Sequence, residues 1–137
     1  MPNMLRTATP MGDWRSFRAT TASAITGAKD AIAAGGSYLY RIGNTVGAAL
    51  ESAAIGADYV LVYHAEKIMV PKMVGAGQGF TGPGVRVWWD PMTRLATVNK
   101  ADPYYLIGIS TEPAANDDQF VEIDLDGAAA ILAADLT

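Results

Sequence analysis

From Lys29 onward, Gly, Pro, Asn and Asp divide the chain into short apolar runs at intervals of about ten residues. Such spacing is typical of an all-β sandwich or barrel, in which short strands are joined by turns. Because the chain has 137 residues, these strands are expected to share the core of one domain. The pattern therefore predicts a mainly β fold, a compact antiparallel β-sandwich or barrel-like domain.

Eight strands are predicted, and each is an apolar run bounded by turn residues. They lie near residues 38–42, 45–50, 59–63, 67–70, 85–90, 95–98, 104–110 and 120–125. The last is the clearest, because apolar residues at 121, 123 and 125 alternate with acidic residues at 122, 124 and 126. The three carboxylates are expected to face water. His64 falls between two runs and is expected in a turn.

The first part of the chain, residues 1–28, has apolar side chains scattered among Thr, Ser and Arg with no lasting period. It is predicted to be an extended N-terminal arm, of which the Thr-rich residues 20–26 can form a strand. The β domain is predicted over residues 29–126, and residues 127–137 form a C-terminal tail. Ala-rich stretches at 28–34 and 128–134 favour helix, but Gly35-Gly36 cuts the first short, so at most one short helix is expected.

Charge is divided unevenly along the chain. The net charge is −4, yet residues 1–30 carry four basic and two acidic side chains, and residues 101–137 carry eight acidic and no basic side chains. An acidic body repels phosphate, which argues against a nucleic-acid partner. A basic arm, in contrast, fits an acidic protein surface.

Several classes of function lack their usual residues. The chain has no cysteine and one histidine, so disulfides, thiolate nucleophiles and the common zinc sites are excluded. No catalytic, cofactor-binding or metal-binding residues are predicted. The apolar runs are too short to cross a membrane as a helix, and no secretory signal is apparent.

Two further features of the sequence suggest a role at first sight. The glycine-rich stretch 75–84 lacks the Lys-Ser/Thr pair of a phosphate-binding loop and is predicted to be a flexible surface loop.

Trp88 and Trp89 are adjacent and must point to opposite faces of a strand. If Trp89 faces the core, then Arg86 and Trp88 face outward and form a possible subunit interface, unless the arm or a loop covers the indole.

Four segments, taken in order and spacing, resemble the capsid cement, or head decoration, proteins of tailed bacteriophages. They are residues 38–57, residues 59–72, the run Gly84-Val85-Arg86-Val87-Trp88-Trp89-Asp90 with its following turn, and residues 106–109 with the final alternating strand. The resemblance covers residues 36–125, about two thirds of the chain.

The resemblance implies a virion protein on the outer surface of the head. It implies homotrimers that bind the major capsid protein, bridge neighbouring subunits and stabilise the shell against the pressure of packaged DNA. The arm is expected to contact the capsid, with Trp14 and Phe17 as buried anchors and Arg15 and Arg18 paired to acidic groups. The apolar pair Met4 and Leu5 is included in this predicted contact.

Three other functions are compatible with the residues. A carbohydrate-binding or adhesion module would stack sugars on Trp88, Tyr104 and Tyr105. A small glycoside hydrolase would need paired carboxylates, and the chain is short for a substrate cleft. An oligomeric scaffold unrelated to phages is the third alternative.

Overall fold

A computed structural model describes residues 11–21, 23–28, 30–31 and 36–135. These residues form one curled antiparallel sheet of nine strands. The strands are β1 (Met11–Thr20), β2 (Leu39–Ile42), β3 (Thr45–Ala49), β4 (Asp58–Pro71), β5 (Arg86–Trp89), β6 (Ala96–Thr97), β7 (Tyr105–Ser110), β8 (Phe120–Asp126) and β9 (Ile131–Leu132). The prediction of a mainly β, barrel-like domain is confirmed.

The order of strands across the sheet is β2-β3-β4-β8-β7-β5-β6. Two strands lie off this path, since β1 pairs with β4 and β9 pairs with β7. The 14-residue β4 therefore has β1 along one edge and both β3 and β8 along the other. It is the strand around which the arm and the body of the domain meet.

The sheet buries apolar side chains on both faces near the junction of β3 and β4. Ala48 and Val62 pair with each other and belong to the main core, whereas their neighbours Ala49 and Leu61 belong to a second, smaller cluster. Side chains alternate between the faces of a strand, so the two clusters lie on opposite sides of the sheet. Ile25, just after β1, covers the second cluster.

The prediction of two strands at 59–63 and 67–70 is wrong, because both belong to β4. His64 accordingly lies within a strand and not in a turn, and its backbone pairs with Asp126. A register shift between Ala65 and Ile68 lets the polar residues Glu66 and Lys67 bulge outward while the strand continues.

Both ends of the chain contribute strands to the sheet. Residues 11–20 of the predicted arm pair with β4 along their length, and Ile131 and Leu132 of the predicted tail pair with β7. The Ala-rich stretch at 128–134 is not an α-helix, because it forms β9 and the start of a three-residue 3-10 turn at Ala133–Asp135. Ala28, Asp30 and Ala31 are helical.

Candidate functional site

β1 carries most of the residues that the sequence singles out for capsid contact. The side chains of Phe17 and Ala19 pack against the second cluster. They do so because Phe17 pairs with Leu61 and Ala19 pairs with Tyr59, which both belong to that cluster. The Phe17 ring stacks on Tyr63 with its centroid 5.6 Å away, so this aromatic anchors the strand to its own domain.

The two arginines of β1 are exposed, as a role in capsid contact requires. Arg18 pairs with Val60 and Arg15 pairs with His64, so the guanidinium groups lie along a strand at the border of the sheet. Trp14 pairs with Ala65 through its backbone, but its side chain lies outside the described residues. Met4 and Leu5 also lie outside them.

A cleft of about 380 Å³ opens at the end of the sheet where β1 meets the start of β4. Val60 is on the same face as Val62 of the main core, and Leu50 packs against that core from beyond β3. The apolar surface of the core therefore reaches solvent here, and Val60 is 38% exposed. The other lining residues are Arg18, Glu51, Ser52, Asp58 and Tyr59.

This cleft was not predicted from the sequence. Residues 59–63 form a continuous apolar run, which gives no local signal that Val60 is exposed while Leu61 and Val62 are buried. The cleft carries one cation against two carboxylates. Asp58 also accepts a hydrogen bond of 2.8 Å from the hydroxyl of Thr20, which ties the end of β1 to β4.

The prediction that Trp88 faces outward is wrong, because Trp88 and Trp89 are each only 2% exposed. A register shift between Val87 and Trp88 against β7 breaks the alternation that the prediction assumed. The ammonium group of Lys100 lies over the Trp88 indole, 5.8 Å from the ring centroid. Trp88 therefore has little surface for a neighbouring subunit, whereas Arg86 is exposed.

The rings proposed for sugar stacking are also covered. Tyr105 is buried between the Arg41 guanidinium, 5.4 Å from its centroid, and Trp89, 6.1 Å away. Tyr104 is half-buried. These aromatic residues do not form an open platform, so the geometry does not favour a carbohydrate-binding site at this position.

Residues 75–84 are held to the segment 114–118 by hydrogen bonds. The amide of Gly79 donates to the Asn116 side chain at 2.8 Å, and Phe80 forms a bridge with Ala114. Lys72 is buried, and its ammonium group donates to backbone carbonyls of the segment 114–118. Burial lowers the pKa of Lys72, while Asp118 and Asp117 act in the opposite direction.

The acidic face predicted for β8 is only partly exposed. Asp126 is exposed and Asp124 is half-buried, but Glu122 is buried and accepts a 2.8 Å hydrogen bond from the Thr111 hydroxyl. The prediction for Glu122 is wrong because neighbouring elements cover both faces of the sheet at this position. Within the described ranges, no group of three or more histidine or acidic residues is placed to hold a metal ion.

Asp124 provides a test of the electrostatics of this face. Burial raises its pKa, His64 lowers it, and Asp126 and Glu66 raise it further. A raised pKa in the folded state means that the charged carboxylate destabilises the fold above that pKa. We therefore expect Asp124→Asn to raise the free energy of unfolding at pH 7 by about 0.5 kcal/mol, a value reduced for solvent screening.

The gain should disappear as the pH falls below about 4, where the carboxyl is protonated in both folded and unfolded chains. Urea unfolding at pH 7 and at about pH 3.5 measures the two differences. The exposed Glu112→Gln is the matched control and should change stability little at pH 7. A neutral-pH loss of stability in Asp124→Asn would contradict the expectation.

The comparison with known families decides what kind of protein carries this sheet. The family model described as phage cement protein matches residues 17–125. The chain belongs to the phage cement protein family. The resemblance seen in the sequence is thereby confirmed, and this cement protein is a structural component of the phage capsid, located on its exterior.

The match begins at Phe17 and ends at Leu125, so it includes the last four residues of β1 and all but the last residue of β8. Among solved structures, the cement protein is similar to the N base of head fiber gp8.5 in bacteriophage phi29. The two are 15% identical with a TM-score of 0.45, over 85% of this chain and 98% of the other. No curated protein matches the sequence.

Among the residues described, no helix is long and apolar enough to cross a membrane.

Proposed function

We propose that this cement protein binds the outside of an assembled phage head as a homotrimer and bridges neighbouring major capsid subunits. Its role is then structural and not catalytic, since it stabilises the shell against the pressure of the DNA inside. The observation that carries the proposal is the position of Arg15 and Arg18, exposed on a strand at the border of an acidic domain.

The charge pattern supports attachment through β1. Arginine forms two parallel hydrogen bonds with a carboxylate, so two exposed arginines on a rigid strand can select acidic groups on a capsid subunit. The acidic remainder of the domain would be repelled by the same surface. Attraction at one border and repulsion elsewhere orients the protein as it approaches the head.

The backbone of β1 supports the same surface. Within the described part of the chain, β1 pairs with β4 alone, so its other edge has peptide groups that another chain can pair with. Addition of a strand to such an edge is a common way to bind an extended segment. A segment of the capsid subunit would then gain backbone hydrogen bonds as well as contacts with the arginines.

Stabilisation follows from mass action. A protein that binds the assembled shell, and not its separated subunits, shifts the equilibrium toward the shell by an amount that grows with its free concentration. When one trimer contacts several subunits, release of one contact leaves the others engaged, which raises the overall affinity. Many copies on one head would therefore oppose rupture together.

The experiment that tests this function is co-sedimentation of the purified protein with undecorated heads of the matching phage. We expect saturation at a fixed number of copies per capsid subunit and a higher temperature of head disruption at saturation. Absence of saturable binding would refute attachment to the capsid. Saturable binding with an unchanged disruption temperature would refute the stabilising role.

The same assay tests the two arginines of β1. The double variant Arg15→Glu and Arg18→Glu should lower the affinity for heads by at least about 100-fold, because two favourable charge pairs become like-charge contacts. The matched control is Arg86→Glu, since Arg86 is also exposed and lies on β5, separated from β1 by three other strands. Because Arg86→Glu changes the charge half as much, a loss of about tenfold in this control would show that overall charge, and not β1, governs binding.

A further inference from the structure

The cleft formed by Leu50, Glu51, Asp58 and Val60 shares Arg18 with the contact proposed for the outer edge of β1, but its other lining residues have no part in that contact. It combines an apolar floor, an open mouth and an excess of one negative charge. A complementary partner has one or two apolar side chains next to a single cation. These are the features of a short peptide segment, and they indicate a site for a protein chain.

The apolar floor is unusual for this molecule. Val60 lies on the same face of β4 as the core residue Val62, and Leu50 packs against the same core beyond β3. Val62 is fully buried, whereas the described residues leave Val60 exposed. Covering Val60 and Leu50 removes apolar surface from water at the rim of the main core, which is favourable. The carboxylates of Glu51 and Asp58 lie beside this surface.

The chain itself contains a segment of the required chemistry. Met4 and Leu5 are followed at once by Arg6, which is the one charged side chain within residues 1–10. With Met4 and Leu5 on the apolar floor, the Arg6 guanidinium would face the two carboxylates and offset their excess charge. The remaining residues of 1–10 offer no second site of this kind, since Met1 and Pro2 have no cationic side chain beside them.

The register of β1 determines which copy can supply the segment. Met11 pairs with Lys67, whereas the cleft lies at Val60 and Asp58, seven and nine residues along β4. At roughly 3.3 Å per residue, Val60 is about 23 Å from the start of β1. To reach the cleft of its own copy, the chain before Met11 would have to reverse direction, which takes a turn of four residues. The residues that remain up to Leu5 would span only about 10 Å along β4, less than half of the distance to Val60.

We propose that the cleft binds residues 4–6 of a second copy of this chain. Met4 and Leu5 pack on Leu50 and Val60, and Arg6 pairs with Glu51 and Asp58. Each copy thus extends its N-terminal segment to a neighbour and receives one in its own cleft. Met4 and Leu5, which the sequence alone associates with the capsid, are assigned instead to the contact between copies of the cement protein.

Disulfide trapping tests this exchange in the full-length protein. The natural chain has no cysteine, so every disulfide reports an introduced pair. An equimolar mixture of Leu5→Cys and Val60→Cys, one of them labelled with nitrogen-15, is oxidised and analysed by non-reducing electrophoresis and mass spectrometry. We expect a dimer in which Cys peptides from labelled and unlabelled chains are joined.

The matched control replaces the acceptor with Met92→Cys, because Met92 is 90% exposed and lies in the turn after β5, on the far side of the sheet. The pair at positions 5 and 60 should form at least about ten times more disulfide than the pair at positions 5 and 92. Equal yields would overturn the proposal, since they indicate random collision. A link within one chain in the double variant Leu5→Cys and Val60→Cys would overturn the assignment to a second copy.

Charge exchange gives an independent test with the same readout. Arg6→Glu alone, or Glu51→Lys alone, should lower the yield of the disulfide between positions 5 and 60 about tenfold, because like charges then meet. Both changes together should restore it. Failure of this rescue would overturn the proposed pairing. No heads are present, so these results are separate from capsid attachment, which co-sedimentation measures.

Discussion

Replacing Lys72 with methionine should lower the free energy of unfolding by about 3 kcal/mol, the upper end of the range for hydrogen bonds that involve a charged group. The Lys72 ammonium donates to four backbone carbonyls, those of Met73 at 2.8 Å, Asp118 at 2.9 Å, Ala115 at 3.1 Å and Asn116 at 3.3 Å. Methionine has a similar volume but no donor, so four partly buried acceptors would lose this partner.

Urea unfolding followed by tryptophan fluorescence measures this effect. The control is Lys67→Met, which makes the same chemical change at an exposed position of the same strand and should cost less than about 0.5 kcal/mol. A loss below about 1 kcal/mol in Lys72→Met would show that water or loop movement satisfies the carbonyls. Our interpretation that Lys72 holds the segment 114–118 against the end of β4 would then be wrong.

Replacing Gly127 with alanine should destabilise the protein by about 3 kcal/mol or more, because the added methyl group has no space. Its Cβ would lie 1.8 Å from the carbonyl oxygen of Val46, an impossible contact with backbone. The amide of Gly127 donates to the carbonyl of Tyr63, and its carbonyl accepts from the amide of Val46, both at 2.8 Å. Gly127 therefore joins β3 and β4 just after the end of β8. Relief of the clash would break these hydrogen bonds.

Gly82→Ala is the matched control, since nothing lies within 4 Å of the Cβ that it adds. It should leave the thermal unfolding midpoint nearly unchanged or raise it slightly. If Gly127→Ala unfolded at the same temperature as the natural protein, the close approach of residue 127 to β3 would be disproved. Residue 127 would then belong to a loose tail, as its position in the sequence suggests.

Most strands could be predicted because their signals are local. Apolar runs and turn residues place β2, β3, β5, β7 and β8 within one or two residues of the observed bounds. The error at β4 has a physical cause. Glu66 and Lys67 interrupt the apolar pattern, and a polar pair of this kind occurs equally in a turn and in a bulge of a continuous strand.

For the candidate site, the exposure of Arg15 and Arg18 agrees with the expectation from the sequence, whereas the exposure of Trp88 does not. Arginine is seldom buried, so its identity predicts its position well. The face on which Trp88 lies was predicted by assuming that side chains alternate strictly along the strand. One register shift between Val87 and Trp88 reverses this assignment. The cleft at Val60 could not be predicted because it depends on which strands end beside it.

The sequence by itself determined most strands of the domain, the acidic body with its basic start and the membership of the cement family, because composition, turn residues and spacing are properties of the chain alone. The tertiary structure decided that residues 11–20 pair with β4, that Trp88 and Glu122 are buried, and that Gly127 meets β3. Each of these depends on contacts between residues distant in the chain, and long-range register is set by packing that no local pattern encodes.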